Sequence, residues 1–266
     1  PDQICLTWSA EPCTTQTIQW RTSPENKAGV VEYKLKADSA DAAATRKTAE
    51  CREMDSPGVT NDRKNSRFTA TLDGLKAGTA YAYRVGTGAD GGWTDWAEFT
   101  TAPQTATPFT FVYMGDPQVG LDTWGRLLHG AYERHPETAF YAVAGDIVNR
   151  GDTRNDWDEL FAAAAGVFDR RPFVPAMGNH DYKTLGQPLY LELLTLMQNG
   201  PDAIGPEKAY SFRYGNALLI VLDSNSSVDA QCAWLEEQLK STDAMWKFAL
   251  YHHPAYSSAP RRDNDE

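Results

Sequence analysis

Four short apolar runs in the second half of the chain each end on side chains able to ligate a metal, and no other feature constrains the fold as tightly. Residues 140–144 lead into Gly145 and Asp146 within the stretch FYAVAGDIVNRG. Residues 109–114 lead into Gly115, Asp116, Pro117 and Gln118, and residues 172–177 into Gly178, Asn179, His180 and Asp181. Residues 246–251 lead into His252, His253 and Pro254. Apolar runs of this length, bounded by glycine or polar residues, read as buried strands. Helical spacing lies between them, over 122–135, 157–168, 189–197 and 229–240, with Asp229 as the expected N-cap of the last. Residues 210–214 and 217–223 read as consecutive strands across Gly215-Asn216. Strands alternating with helices make an α/β domain, whose ligands bind off the C-terminal ends of the strands. A carboxylate shared by two cations can hold a metal pair together, and Asp146 is the candidate for that bridge.

In this order, GD, GDIVNRG, GNHD and HHP resemble the motifs of the calcineurin-like metallophosphoesterases. The resemblance implies two packed β-sheets flanked by helices and a pair of divalent metal ions, zinc, manganese or iron. It makes Asp116 and Asp146 carboxylate ligands of the first metal, with Asp146 bridging. Asn179 would bind the second through its amide oxygen and His252 through a ring nitrogen. His252 is preferred to His253 because the family's ligand stands two residues before the proline. His180 would bind phosphate and protonate the leaving alkoxide. Asp181 would either orient His180 or cap the next turn. Arg150 would either clamp phosphate oxygens or form a surface ion pair.

Two positions depart from the pattern. Many members carry Asp-x-His in the first motif, where this chain has Gln118, whose carbonyl oxygen is a weaker ligand than imidazole. Purple acid phosphatases carry a tyrosine three residues after the second aspartate, where this chain has Asn149. The implied reaction is hydrolysis of a phosphate monoester by a hydroxide held between the metals. The alternatives are a phosphodiesterase on nucleotides or lipid head groups, and a non-catalytic binding protein. The resemblance also implies more strands and a GH-x-H motif beyond Glu266. The expectation is that the C-terminal part of the domain is missing from this chain, with three explanations open: a cut in the exposed loop 257–266, a sequence that simply stops there, or a separate C-terminal fragment that completes the domain.

Residues 1–104 read differently. Apolar residues alternate at Ile4, Leu6 and Trp8, at Ile18 and Trp20, at Val31, Tyr33 and Leu35, and at Tyr81, Tyr83 and Val85. Period-two runs between polar turns indicate an all-β sandwich, with Trp8 and Trp20 in its core. The stretch LKAGTAY, residues 75–81, resembles the tyrosine corner of fibronectin type III domains, and purple acid phosphatases carry a similar domain before their catalytic part. Residues 38–65 show no clear period and are expected to be connections and weak strands. The Thr- and Pro-rich segment 101–108 marks a linker, dividing the chain into domains at 1–104 and 108–266.

Composition narrows the partners. The net charge of −11 is concentrated in the second domain. Residues 1–108 hold 12 basic against 14 acidic side chains; the rest hold 13 against 22, and all five histidines. An acidic, histidine-bearing half suits cations and a small phosphorylated substrate, and argues against a nucleic-acid backbone. No apolar run is long enough to span a membrane. Of the four cysteines, Cys5, Cys13 and Cys51 fall in the first domain, allowing one disulfide; Cys232 is expected to be buried. No CxxC occurs, so a structural zinc site is not signalled; the possible disulfide and the start at Pro1 lead to an expectation of a periplasmic or secreted protein whose leader has been removed.

Overall fold

The computed structural model describes residues 1–56, 63–89, 92–182 and 186–258. The first hundred residues form two four-stranded antiparallel sheets. One is ordered β1 (Asp2–Thr7), β2 (Gln16–Thr22), β6 (Lys64–Leu72) and β5 (Glu50–Asp55). The other is ordered β4 (Thr45–Thr48), β3 (Val30–Leu35), β7 (Ala80–Gly86) and β8 (Ala97–Thr100). Alternate residues of the inner strands meet in a closed core, where Trp20 stacks on Phe68 with ring centres 5.3 Å apart. The Tyr81 hydroxyl accepts a hydrogen bond from the Lys76 backbone N–H at 2.9 Å, so this side chain closes a corner of the fold. The weakly patterned segment 38–65 holds β4 and β5, and its residues 57–62 lie outside the described residues. Both strands are sheet edges with mostly exposed side chains, so neither carries a buried alternation.

Among the described residues the second domain has two three-stranded sheets. β9 (Thr110–Met114), β10 (Thr138–Ala144) and β11 (Phe173–Ala176) run parallel, with β10 central. β12 (Tyr210–Tyr214) is antiparallel to β13 (Ala217–Val221), and β14 (Trp246–Leu250) is parallel to it. The sheets pack through Phe140, which meets Phe212 at 5.9 Å and Tyr214 at 5.5 Å between ring centres. Helices α1 (Leu121–Arg134), α2 (Arg154–Ala164), α3 (Gly186–Leu193) and α4 (Val228–Ser241) connect them. Two local expectations are corrected. Ser227, not Asp229, caps α4, its hydroxyl accepting from the Ala230 N–H at 3.3 Å. Cys232 is exposed on that helix, because the face that packs inward carries Gln231 and Trp234 instead. All four cysteines are free thiols.

β9 and β14 are outer strands of their sheets on the same side, with Phe111 against Phe248 at 5.4 Å. Cavities of about 470 and 340 Å³ open there and share those two rings. Tyr113 and Trp246 are exposed beside them, along strand edges that no other strand pairs with among the described residues. Among the described residues no helix is long and apolar enough to cross a membrane.

The two domains share buried surface. Trp8, expected in the sandwich core, instead packs on Phe140, Phe212 and Tyr214 of the second domain at 5.1–6.0 Å. The Leu6 N–H donates to the Phe168 carbonyl at 2.8 Å. Arg67 is buried: its guanidinium donates twice to the Leu193 carbonyl, once to Gln3 Oε1, and lies over the Phe161 ring at 5.0 Å. Burial pulls its pKa down to about 10, still charged at neutral pH. Arg67→Ala would remove two of the donors to the Leu193 carbonyl, leaving the bond from Gln19 Nε2 at 3.1 Å, and would deprive Gln3 Oε1 of its Arg67 donor. It is expected to destabilise the chain by about 1–3 kcal/mol. An unchanged denaturant midpoint would show that this contact does not hold the domains together.

Candidate metal centre

The tips of β9 and β10 leave their strands by the same device. Asp116 has φ +51° and Asp146 has φ +48°, a left-handed conformation that aspartate tolerates better than most residues. The Asp116 N–H donates to the Gly145 carbonyl and the Gln118 N–H to the Asp146 carbonyl, both at 3.1 Å, which ties the two tips together. Both aspartates are thereby set at the C-terminal end of the parallel sheet. Asp116 is exposed and Asp146 is buried.

Close approach decides which residues can flank them. A Cβ on Gly178 would lie 2.1 Å from the Asp146 nitrogen and 2.3 Å from its Oδ1. A Cβ on Gly145 would lie 2.7 Å from the His252 ring. The glycines of the GD and GN dipeptides therefore leave room for the ligand-type groups of neighbouring tips.

Asp146 occupies the centre. Its Oδ1 accepts the His180 backbone N–H and its Oδ2 accepts the Gln118 Nε2, each at 2.8 Å. His252 Nδ1 stands 2.9 Å from the Ala144 carbonyl, so its proton is on Nδ1 and the Nε2 lone pair faces the site. That Nε2 lies 3.4 Å from Asp146 Oδ1 and 3.3 Å from Asn179 Oδ1. Three lone-pair atoms thus converge from three loops. A tetrahedral cation with bonds of about 2.1 Å holds its ligands about 3.4 Å apart. Asp116, Asp146 and His252 together offer atoms within 4.8 Å of one another. The donor set fits a cation.

Gln118 is placed beside Asp146, as a ligand requires, but its amide nitrogen faces the carboxylate. Its Oε1 is buried without a hydrogen-bond partner among the described residues. Exchanging the two ends of the amide, which have the same shape, would turn that orphaned oxygen toward Asp146 Oδ2 and present both to a cation.

His180 lies at the rim. Its Nδ1 is 2.9 Å from the Asn149 carbonyl oxygen, and its Nε2 is 3.9 Å from Asp146 Oδ2. Asp181 is expected either to orient His180 or to cap the next turn; its hydrogen bonds among the described residues are to neither. The buried carboxylate instead accepts the backbone N–H groups of Ile147, Val148 and Gly178 at 2.8–3.2 Å, which staples the GDIVN loop to the GNHD loop. Burial pushes this carboxyl up to about 7 against the pull of those three donors, and Asp146 adds to the rise. Arg150 forms a two-pronged ion pair with Asp156 on the first turn of α2, at 2.8 and 3.2 Å. That pair engages Nε and one Nη2 hydrogen of a guanidinium with five N–H donors, most of whose surface is exposed. His253 turns to Ser224 at 2.9 Å, and burial, then neighbouring His252, draws its pKa down.

Sequence reasoning missed the Asn149 carbonyl and the staple made by Asp181. A backbone oxygen carries no side-chain signature, and a carboxylate that binds three N–H groups looks in sequence like any other aspartate.

Comparison with known proteins gives two family matches that divide the chain between them. The N-terminal domain of purple acid phosphatases matches residues 1–101, and the calcineurin-like phosphoesterases match residues 109–266. A purple acid phosphatase from seeds of yellow lupin (Lupinus luteus) superposes with a TM-score of 0.79 over 97% of this chain and 52% of its own, at 17% identity. PhoD superposes with a TM-score of 0.68 over 96% of this chain and 62% of its own, at 14% identity. At such identities the likeness carries the fold, and this chain spans about half the length of the lupin protein. No curated protein matches.

Proposed function

Because the chain belongs to the calcineurin-like phosphoesterase family, we propose that it hydrolyses phosphate monoesters with two divalent cations. Asp116, Asp146 and Gln118 would hold one cation, and Asp146, Asn179 and His252 the other. The observation that carries the reading is the convergence of His252 Nε2 on Asp146 Oδ1 and Asn179 Oδ1 at 3.3–3.4 Å. Zinc, manganese or ferrous iron suit such oxygen and imidazole donors. Bound there, a metal pair supplies Lewis acidity toward phosphate oxygens and an activated water as nucleophile.

The side chains do the rest. Asp146 would offset the positive charge of the cations, and the His180 backbone N–H keeps its carboxylate oriented. The Asn149 carbonyl accepts a hydrogen bond from the His180 Nδ1–H, which leaves Nε2 to face the substrate. Imidazolium is a suitable acid near neutral pH, and from Nε2 it would protonate the departing alcohol oxygen. The same reading assigns the apolar trough beside β9 and β14 to further polypeptide of this domain.

Turnover of p-nitrophenyl phosphate and its bis-substituted analogue, with and without added metal, tests the proposal. Metal-dependent preference for the monoester supports it. Preference for the diester would make the protein a phosphodiesterase, and no turnover of either would leave a binding protein. His180→Ala is expected to slow turnover by about 10²–10⁴-fold with metal content near that of the unmodified protein. Metal loss in that variant would show that His180 is a ligand.

A further inference from the structure

We propose that residues 223–226, the turn after β13, form the positioning element of the second metal site. The turn supplies no ligand, yet it fixes the separation of Asn179 and His252. The proposal rests on the reading of those two residues as ligands.

Asn179 and His252 belong to different sheets. Asn179 follows β11 and His252 follows β14, so their 3.3 Å approach depends on how one sheet sits on the other. The turn spans that gap. On one side, the Asn225 Nδ2 donates to the carbonyl of Met177 at 3.1 Å, two residues before Asn179. Asp223 Oδ2 accepts the hydroxyl of Tyr182, three residues after Asn179. The Asn179 loop is thus gripped at both ends. On the other side, the Ser224 hydroxyl accepts the His253 N–H at 3.0 Å and meets its Nδ1 at 2.9 Å, which fixes the residue next to His252.

The turn itself is held rigidly. Asp223 is fully buried, and its Oδ1 accepts both the N–H and the Nδ2 of Asn225 at 3.0 and 3.1 Å. Its Oδ2 accepts the Ser226 hydroxyl at 2.6 Å. Gln231 of α4, also buried, clasps its backbone from both sides, accepting the Asp223 N–H and donating to the Asp223 carbonyl. The helix therefore anchors the turn, and the turn bridges the two ligand-bearing loops. Groups that orient ligands in this way typically change metal affinity by about 10–100-fold when removed.

The test uses Ser224→Ala and Asn225→Ala, both at partly exposed positions, rather than the buried Asp223. The metal-free protein is titrated with Zn²⁺ by calorimetry. His252→Ala identifies the binding step of the second site and Asp116→Ala that of the first. Each turn variant is expected to weaken the His252-dependent step about 10–100-fold and to leave the Asp116-dependent step unchanged. The metal-free melting temperature should stay at that of the unmodified protein, and Ser224→Thr, which keeps the hydroxyl, should restore affinity. Unchanged affinity at both steps overturns the proposal. So does equal weakening of both steps, or a fall in metal-free stability, since either would mark a general structural role. Absence of a second binding step in the unmodified protein would instead overturn the binuclear reading of the function.

Discussion

Asp146→Asn is expected to abolish binding of at least one metal and to lower turnover by about 10²–10³-fold or more, with the fold preserved. Asparagine accepts the left-handed backbone that φ +48° demands, so the substitution adds little strain. What changes is the carboxylate. Its charge would offset two dications at once, and both its oxygens accept N–H groups, from His180 and from the Gln118 amide. An amide in its place is neutral and turns an N–H₂ group toward one of those donors. Metal analysis beside a thermal melt separates the effects. A variant that melts normally but holds less metal supports the bridging role. Full activity with both metals retained would overturn it. Asp146→Ala is a poorer test, because alanine is strained at this φ and folding itself would suffer.

Gly178→Ala is expected to be nearly as damaging, although it touches neither charge nor ligand type. The added methyl would stand 2.1 Å from the Asp146 backbone nitrogen and 2.3 Å from its Oδ1. The nearer of these is backbone, so no side-chain rotation relieves the contact; one loop has to move. Overpacking of this kind costs about 1–3 kcal/mol. The movement would also fall on the GNHD loop, which carries Asn179 and the N–H that orients Asp146. A displacement of about 1 Å at such a site can cost about 10²-fold in rate. The expected result is a lower melting temperature together with loss of metal binding. Wild-type affinity for both metals would show that the two loops can separate without cost.

The alternation of short apolar runs with helical spacing was enough to read two domains of different class, because burial imposes a period of two or of 3.6 on any packed element. The strands of the second domain and the four described helices were legible in this way, with boundary errors of a few residues where α2, α3 and α4 begin or end; their arrangement in two packed sheets came from the family resemblance. The edge strands β4 and β5 were not legible, since an exposed edge carries no such period. Trp8 was legible as buried but not as belonging to the domain interface; hydrophobicity reports that a side chain leaves water, not which partner covers it.

The same division runs through the candidate site. The residue types were legible because metal chemistry demands carboxylate, amide and imidazole groups, and strands of parallel sheets deliver them at their tips. Their arrangement was decided by packing. Whether Asn179 meets His252 depends on the seating of one sheet upon the other, and on a turn after β13 that has no motif of its own. Asp181 became a staple between loops, and Arg150 the partner of Asp156, through contacts between residues 3 to 34 positions apart. Sequence alone determined which chemical groups this chain carries and which strands end in them. Tertiary structure decided which groups face the site and which brace it, because that choice is made by distances of a few ångströms between segments far apart in the chain.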